Sequence, residues 1–251
     1  MAAVTDTTTT PLVRLDRVRK EFGAVVALEE VTLDVNPGEI VALVGDNGAG
    51  KSTLIKMIAG VHQPTSGQIL LEGEAVRLAK PSDSREHGIE VVFQDLALAD
   101  QQPVYMNLFL GRELVRGPLR RLDRDRMATE TQQLLDELDI RVPSPRATIR
   151  DLSGGQRQGV AIARATHWAQ RLVLMDEPTA ALGVQETSRV EDIIVRMRER
   201  GRAILIVSHS LDQVFRISDR ICVLRHGQQV GIRKTSETSG DEIVAMITGL
   251  R

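Results

Sequence analysis

The most diagnostic segment of this 251-residue chain reads Gly45-Asp46-Asn47-Gly48-Ala49-Gly50-Lys51-Ser52-Thr53, and we call it the cradle. It fits the pattern G-x-x-x-x-G-K-[ST], in which glycines let backbone N–H groups close around phosphate oxygens. The apolar run 40–44 predicts a strand buried on both faces, and residues 51–59 have helix-forming composition. A strand that enters a helix through this loop predicts a nucleoside triphosphate site, because the helix N-terminus favours an anion.

Two side chains of the cradle have predicted roles of their own. We expect Lys51 to reach the β- and γ-phosphates and the Ser52 hydroxyl to ligate Mg²⁺. The alternative is a glycine turn that precedes a helix by chance, and roughly 1% of chains of this length would match the four constrained positions in that way.

Composition limits the class of protein. With 42% hydrophobic and 2% aromatic residues, the chain can bury an α/β core filled by aliphatic side chains. A net charge of −2 gives no bulk attraction to nucleic acid or anionic lipid. No signal sequence is present and no apolar run approaches the ~18 residues that cross a bilayer, so a membrane role would come through a partner. The single cysteine, Cys222, lies in an apolar strand pattern and is expected to be a buried thiol.

The order of predicted elements divides the chain. Residues 1–11 are expected to be a disordered polar tail, and 12–251 to form one domain. Its core, 12–94 and 169–251, reads as an antiparallel β region followed by α/β units, and 95–168 reads as an inserted, mainly helical lobe. In the second half we predict strands at 171–175, 203–207 and 220–224, and helices at 185–200, 211–216 and 242–247.

A second motif, Leu152-Ser153-Gly154-Gly155-Gln156, is called the signature here. Locally, Ser153 reads as the N-cap of a helix running to Trp168, which alone could be a plain helix cap. Together with the cradle, the signature resembles the nucleotide-binding subunits of the ATP-binding cassette (ABC) family, and the resemblance covers about Leu12 to Gly249. It implies a P-loop NTPase core with an inserted helical lobe. The amino-acid sequences of segments 45–56 and 107–113 are similar to those of ATPases of bacterial monosaccharide importers.

The resemblance assigns roles to acidic and neutral side chains near strand ends. Asp176 and Glu177 stand at the end of a predicted buried strand. Asp176 suits Mg²⁺ coordination, and Glu177 suits the orientation of the attacking water. The alternative interpretation is that both are surface acids that close a strand. Gln94 would touch Mg²⁺ or the water, although a lone Gln is normally a loop residue. His209, 32 residues after Glu177, would be the histidine that binds the γ-phosphate and fixes the glutamate, where the ordinary alternative is a structural His.

Two further positions follow from the family pattern. Phe22 matches the aromatic residue that stacks on adenine, with a small core aromatic as the alternative. Gly183, in the run 180–183, stands where most of the family has Asp, a residue that helps to couple the two ATP sites of a dimer. We therefore expect intact ATP binding and altered coupling between sites.

The function expected from the resemblance is ATP hydrolysis to ADP and phosphate that drives import of a monosaccharide. In this family the signature faces ATP held by a second subunit, so a single cradle and a single signature imply a partner cassette, most simply a second copy. A membrane permease would grip near 94–105, where Leu96, Ala97, Leu98 and Tyr105 offer apolar contacts unless they pack inside the lobe. A substrate-binding protein would act upstream.

Further expectations concern location and rival functions. The subunit would lie peripherally on the cytoplasmic face of the plasma membrane, without contacting nucleic acid or the sugar itself. The alternative function is a soluble, non-transport ABC ATPase, although such proteins usually carry tandem cassettes, coiled coils or basic extensions. A regulatory subunit with little turnover is disfavoured by Glu177 and His209. We expect no additional C-terminal regulatory domain after residue 251.

Overall fold

The computed structural model describes residues 10–180 and 182–249 of the chain. Most of the predicted disordered tail, residues 1–9, and residue 181 of the run around Gly183 lie outside the described residues. The helices within the described ranges are α1 (Lys51–Ile58), α2 (Pro81–Glu86), α3 (Val104–Leu108), α4 (Arg124–Glu137), α5 (Gly154–Trp168), α6 (Val184–Glu199), α7 (Leu211–Ile217) and α8 (Gly240–Thr248). The strands there are β1 (Val13–Phe22), β2 (Val25–Val35), β3 (Ile40–Val44), β4 (Ser66–Leu71), β5 (Glu74–Val76), β6 (Ile89–Val92), β7 (Val115–Arg116), β8 (Arg121–Leu122), β9 (Leu172–Asp176), β10 (Ala203–Val207), β11 (Arg220–Arg225) and β12 (Gln228–Lys234).

One large sheet organises the fold, with strand order β5-β4-β1-β2-β12-β11-β3-β10-β9-β6. Strands β11, β3, β10, β9 and β6 are mutually parallel, whereas β1 pairs antiparallel with both β2 and β4. The parallel strands are buried on both faces, which explains why 40–44 and 203–207 are uninterrupted apolar runs. The run 172–176 is likewise apolar up to its last residue, Asp176. The α/β fold with an N-terminal antiparallel region is confirmed.

The sheet separates two hydrophobic cores, because alternate residues of a strand point to opposite faces. On β3, Ile40 and Ala42 pack with side chains of α4, α5 and α6, whereas Val41 and Leu43 pack with α1 and with strands β1, β2 and β4. Both cores consist almost entirely of aliphatic side chains, as the composition indicates. Cys222 is fully buried on β11, and burial raises the pKa of its thiol to about 12, so the prediction of a buried thiol is confirmed.

The structure extends and corrects several predicted elements. β1 and β2 are longer than the short strands predicted for this region, because bulges with register shifts let charged residues such as Arg17 and Glu30, both at positive φ, stay within the ladder. The segment 95–168 holds α3, α4 and α5 but also the short hairpin β7–β8. β12 was not predicted, since its sequence Gln228–Lys234 is mainly polar and half-exposed.

The parallel register determines where the chemistry lies. Val207 of β10 pairs with Asp176 of β9 and with Leu43 of β3, and Met175 pairs with Val92 of β6. The carboxyl ends of these four strands therefore meet at one edge of the sheet. The strand ends, the loops that leave that edge and the first turn of α1 carry the residues predicted for phosphate, Mg²⁺ or water binding, with the exception of the signature.

Candidate functional site

The cradle is fixed by contacts of its backbone with neighbouring strands. Gly45 has φ +147°, and a Cβ there would overlap the carbonyl oxygen of Leu224. Gly50, at φ +100°, is the N-cap of α1, and a Cβ would lie 2.7 Å from the carbonyl oxygen of Ala27. Only glycine combines these dihedrals with so close an approach, so packing against β2 and β11 imposes the glycines of the motif.

Lys51 points into the cradle that it follows. Its ammonium donates hydrogen bonds to the carbonyl oxygens of Gly45 (2.7 Å) and Asp46 (2.8 Å), and the residue is only 5% exposed. Burial lowers the pKa of Lys51, while the carboxylates of Glu177, Asp46 and Asp176 act in the opposite direction. The loop thus encloses a cation beside exposed backbone at 46–48, an arrangement that suits a phosphate group.

Asp176 and Ser52 form the site's second feature. The Ser52 hydroxyl lies 3.3 Å from Asp176 Oδ1, and Asp176 is 8% exposed at the end of β9. Burial raises the pKa of Asp176, and the bond from Ser52 partly offsets this. These oxygen ligands suit Mg²⁺, which keeps several waters and takes its other ligands from phosphates. Among the described residues, no cluster of three or more His, Cys, Asp or Glu could hold a metal ion.

Glu177 and His209 form a close pair across two strands. His209 Nε2 lies 2.6 Å from Glu177 Oε1, and both side chains are partly exposed. Glu177 has φ +54°, a conformation that non-glycine residues seldom adopt and that is common at functional sites. Its N–H donates to the carbonyl of Val207 at 3.1 Å, which ties the turn after β9 to β10. The structure therefore joins two residues that lie far apart in sequence.

Gln94 lies at the same edge, two residues after the end of β6, and is exposed. The loop that follows is held by a residue that sequence reasoning missed. Arg164 of α5 donates at 2.8 Å to the carbonyl oxygens of Leu96 and Ala97, and no local sequence signal distinguishes this arginine from a solvated one. The signature helix and the Gln94 loop are thus fastened together.

The apolar contacts expected for a permease need correction at one position. Tyr105 is 6% exposed and belongs to the hydrophobic core beside α5, because the first turn of α3 is buried there. Leu96 and Leu98 pack partly against the same core. For Tyr105 the alternative of packing inside the lobe is therefore correct, and its side chain is not available to a partner.

Phe22 ends β1 as an exposed side chain, 44% accessible. Its ring makes an edge contact with His62, at 5.1 Å between centroids, and the ammonium of Lys20 lies 4.9 Å from the ring centre. The alternative of a small core aromatic does not hold at this position. An exposed aromatic ring of this kind suits stacking with a planar group.

The signature begins α5 in the predicted way but lies apart from the cradle. Ser153 Oγ accepts from Gln156 N at 3.3 Å, and Gln156 Oε1 accepts from Ser153 N at 2.9 Å, which is a reciprocal capping box. Ser153 and Gly154 are exposed. Helix α5 packs against α3, α4, α6 and β6, whereas α1 packs against β2 and β9. Within one chain, the structure does not bring the two motifs together.

Comparison with known proteins identifies the family. A family model described as ABC transporter matches residues 28–180. This chain belongs to the ABC transporter family. As a member of the ATP-binding subunits of that family, it is an ATPase with a nucleotide site.

Three relatives define its place in the family. A xylose/arabinose import ATP-binding protein, XylG of Sulfolobus acidocaldarius, is 44% identical over 94% of both chains. A ribose import ATP-binding protein, RbsA of Yersinia pestis, is 42% identical over 95% of this chain and 46% of its own length, so this chain spans about half of that relative. Among solved structures, the ADP conformation of MJ1267, an ATP-binding cassette of an ABC transporter, matches with 25% identity and a TM-score of 0.82 over 96% of both chains. The ABC ATPase fold is thereby confirmed.

In this ABC cassette, Gly183 is the N-cap of α6 and has an ordinary φ of −72°. The side chain of Glu186 fills the space beside both Gly183 and Gly155, since a Cβ would lie 2.8 Å from Oε2 of Glu186 at the first and 2.5 Å from Cγ at the second. The starts of α5 and α6 therefore meet through one carboxylate. Across residues 10–180 and 182–249, no helix is both long enough and apolar enough to cross a bilayer.

Proposed function

We propose that this chain is the ATP-hydrolysing motor subunit of an ABC importer for a monosaccharide, working as one of two paired cassettes. The observation that carries the proposal is the close pair of Glu177 and His209 beside Lys51, Ser52 and Asp176, at the common edge of four parallel strands. Relatives named for xylose, arabinose and ribose import support the transport role and the substrate class.

The cradle residues are proposed to bind the nucleotide. The N–H groups of the loop and Lys51 would surround the β- and γ-phosphates, the α1 N-terminus would face their charge, and Phe22 would stack on adenine. Ser52 and Asp176 would hold Mg²⁺, with Gln94 at the edge of its shell. The bound ion would supply neutralisation of charge on the phosphate oxygens.

The chemical step is proposed to depend on placement of a water molecule. Glu177 would orient the water for in-line attack and polarise its O–H bond, and His209 would hold the carboxylate in that position while reaching the γ-phosphate. Lys51 and the helix N-terminus would stabilise the charge that spreads over the transferred phosphoryl group. The contact between Glu177 and His209 that this arrangement requires is present in the fold and supports the assignment.

The second half of each site is proposed to come from the signature of a partner cassette. The capping box engages the N–H groups of Ser153 and Gln156, so those of Gly154 and Gly155 would be the ones to face a γ-phosphate. This helix start lies away from the chain's own cradle. A second copy of the chain would satisfy both sites. The pair would act on a permease at the cytoplasmic face of the plasma membrane, with a substrate-binding protein delivering sugar and with no contact of the ATPase to sugar or nucleic acid.

The variant Glu177→Gln tests the ATPase site. We expect it to bind and retain ATP while multiple-turnover phosphate release falls by about 10²-fold or more. Glu74→Gln serves as control, because Glu74 is exposed on β5, far along the sheet. Phosphate release near the wild-type rate by the Glu177 variant would remove its proposed role.

The transport role is tested separately by purifying the tagged chain from gently solubilised membranes. A multi-spanning membrane protein in near-equal amount, whose addition makes hydrolysis respond to a monosaccharide and its binding protein, is the expected result. Recovery with soluble partners only, and hydrolysis indifferent to membranes, would shift the function to a non-transport ATPase without altering the nucleotide chemistry.

A further inference from the structure

A buried amide lies behind the Glu177–His209 pair. Gln213, in the first turn of α7, is 1% exposed. Its Oε1 accepts from the hydroxyls of Ser208 (2.8 Å) and Thr179 (3.2 Å), and its Nε2 lies 3.1 Å from Thr179 Oγ1 and 3.4 Å from Glu191 Oε1. The Gln213 side chain thus joins its own helix α7 to the segments that carry Ser208, Thr179 and Glu191. Both N–H groups and both acceptor positions of its amide are engaged.

The surroundings define which way this amide faces. Glu191 is a buried carboxylate held by the guanidinium of Arg216 at 2.9 and 2.6 Å, and a carboxylate can only accept, so the nitrogen of Gln213 must face it. At the other end, the Ser208 hydroxyl accepts from Ser210 N at 3.1 Å and donates to Gln213 Oε1 at 2.8 Å, with the carbonyl of Ser210 at 3.4 Å as a longer second acceptor. The carboxylate of Glu191 is therefore the group that fixes the orientation of the amide.

The network connects the two loops that carry the pair. Thr179 is two residues after Glu177, and Ser208 directly precedes His209. The last paired residues of β9 and β10 are Asp176 and Val207, so the ladder ends just before both loops. Beyond that point, among the described residues, the Glu177 N–H bond to Val207 and the Glu177–His209 contact link the two loops directly. The bonds through Gln213 add a second, buried link behind that contact, between the turn at Glu177, with its φ of +54°, and the His209 loop.

We propose that Gln213 is a positioning residue that holds Glu177 and His209 in register by bridging Thr179 and Ser208, with Glu191 and Arg216 fixing the orientation of its amide. The inference rests on the proposed roles of Glu177 and His209. Gln213 touches neither nucleotide nor water, and it acts by limiting the rotation of the two loops. A loss of the bridge should lower turnover without lowering nucleotide affinity.

The first test uses Thr179, where the chain offers matched variants. Thr179→Val removes the hydroxyl, Thr179→Ser keeps it, and Thr131→Val is the control, because the buried Thr131 hydroxyl has no hydrogen-bond partner among the described residues. The Thr179 variants are measured in the wild-type chain and in the Gln213→Met background. We expect Thr179→Val and Gln213→Met each to lower kcat about tenfold, while KM and nucleotide Kd stay within about twofold of wild type. Thr179→Ser and Thr131→Val should match wild type. Equal losses in Thr131→Val, or a change confined to KM, would overturn the proposal.

A double-mutant cycle with His209→Ala separates positioning from general stability. If Gln213 acts through the pair, Gln213→Met should cause no further loss in the His209→Ala background, measured with radiolabelled ATP over long incubations. A further tenfold loss there would show an independent structural effect and overturn the proposal. The proposed function fails by a different result, wild-type turnover in Glu177→Gln, whereas an inactive Glu177→Gln with a fully active Gln213→Met defeats only the present inference.

Discussion

The cradle and the signature are both helix starts rich in glycine, yet they differ in how the chain holds them. The cradle is enclosed: Lys51 is 5% exposed and bonds to its own loop, and packing against β2 and β11 requires glycine at 45 and 50. The signature is open: Ser153 and Gly154 are exposed, and one capping box joins Ser153 and Gln156. The cradle is thus completed by contacts within the chain, whereas the signature leaves an open helix start, as the proposed pairing of two cassettes requires.

This difference teaches where the chain's own contribution to catalysis ends. Asp176, Glu177 and His209 lie at or just after the carboxyl ends of β9 and β10, which are buried parallel strands. The signature is attached to α5, which is fastened by Arg164 to the Gln94 loop and packs on α3, α4 and α6. Arg164 therefore connects the helix that carries the signature to the loop that follows β6 at the strand edge.

The largest effect should come from the enclosed half. In Lys51→Ala, we expect nucleotide affinity to fall by roughly 10- to 100-fold and hydrolysis by about 10²–10³-fold, because a desolvated cation directed at the phosphates is removed. Isothermal titration and phosphate release measure the two losses. Lys234→Ala is the control, since Lys234 is an exposed lysine paired with Glu237. Wild-type affinity in Lys51→Ala would mean that the cradle is not the phosphate site.

The same contrast explains what sequence could and could not predict. The cradle and the capped start of α5 can be recognised in the sequence, because each motif lies within a dozen consecutive residues. The contacts with β2 and β11 that require the glycines of the cradle appear only in the structure. Arg164 and Gln213 were missed, since their partners lie 67 and 34 residues away and a polar residue on a helix carries no sign of a distant acceptor. Tyr105 was open to two interpretations for the same reason: whether an apolar residue faces a partner or its own core depends on tertiary packing.

A smaller effect, confined to hydrolysis, should follow from Ser153→Asp. Asp is as good an N-cap as Ser, so α5 should remain intact, but a negative charge would stand where a partner's γ-phosphate is proposed to bind. We expect hydrolysis to fall by about 10²-fold while the isolated chain binds nucleotide normally. The matched control is Ser239→Asp at the N-cap of α8, which has the same capping bond away from the site. Unchanged hydrolysis in Ser153→Asp would argue against a composite site.

A change in coupling, rather than in rate or affinity, is expected for Gly183→Asp. The backbone at φ −72° accepts Asp, which is a favoured N-cap, and Glu186 must move because its Oε2 would lie 2.8 Å from the new Cβ. We expect the Hill coefficient for ATP to change while nucleotide affinity stays within about twofold, measured by hydrolysis against ATP concentration and by direct titration. A large loss of ATP binding would contradict this prediction.

The smallest expected effect is on the free energy of unfolding, and it concerns the buried charge of Asp176. The pKa of Asp176 is raised by burial, so the folded chain binds that proton more tightly than the unfolded chain does. The group therefore contributes stability at low pH, and this contribution is lost as the pH rises from the usual value of 3.8 through the raised pKa of the folded state.

Asp176→Asn should remove that cost, because the amide can still accept from Ser52 without carrying a buried charge. At pH 7 we expect the melting temperature of the nucleotide-free protein to rise by about 2–4 °C, the shift that about 1 kcal/mol produces in a domain of this size. The gain should shrink as the pH falls towards 4. Asp151→Asn, beside the open signature and 64% exposed, should change the melting temperature little at any pH. A melting temperature lowered by Asp176→Asn at neutral pH would mean that the attraction of Asp176 to nearby lysines outweighs its burial, so that the enclosed half-site carries no stored cost.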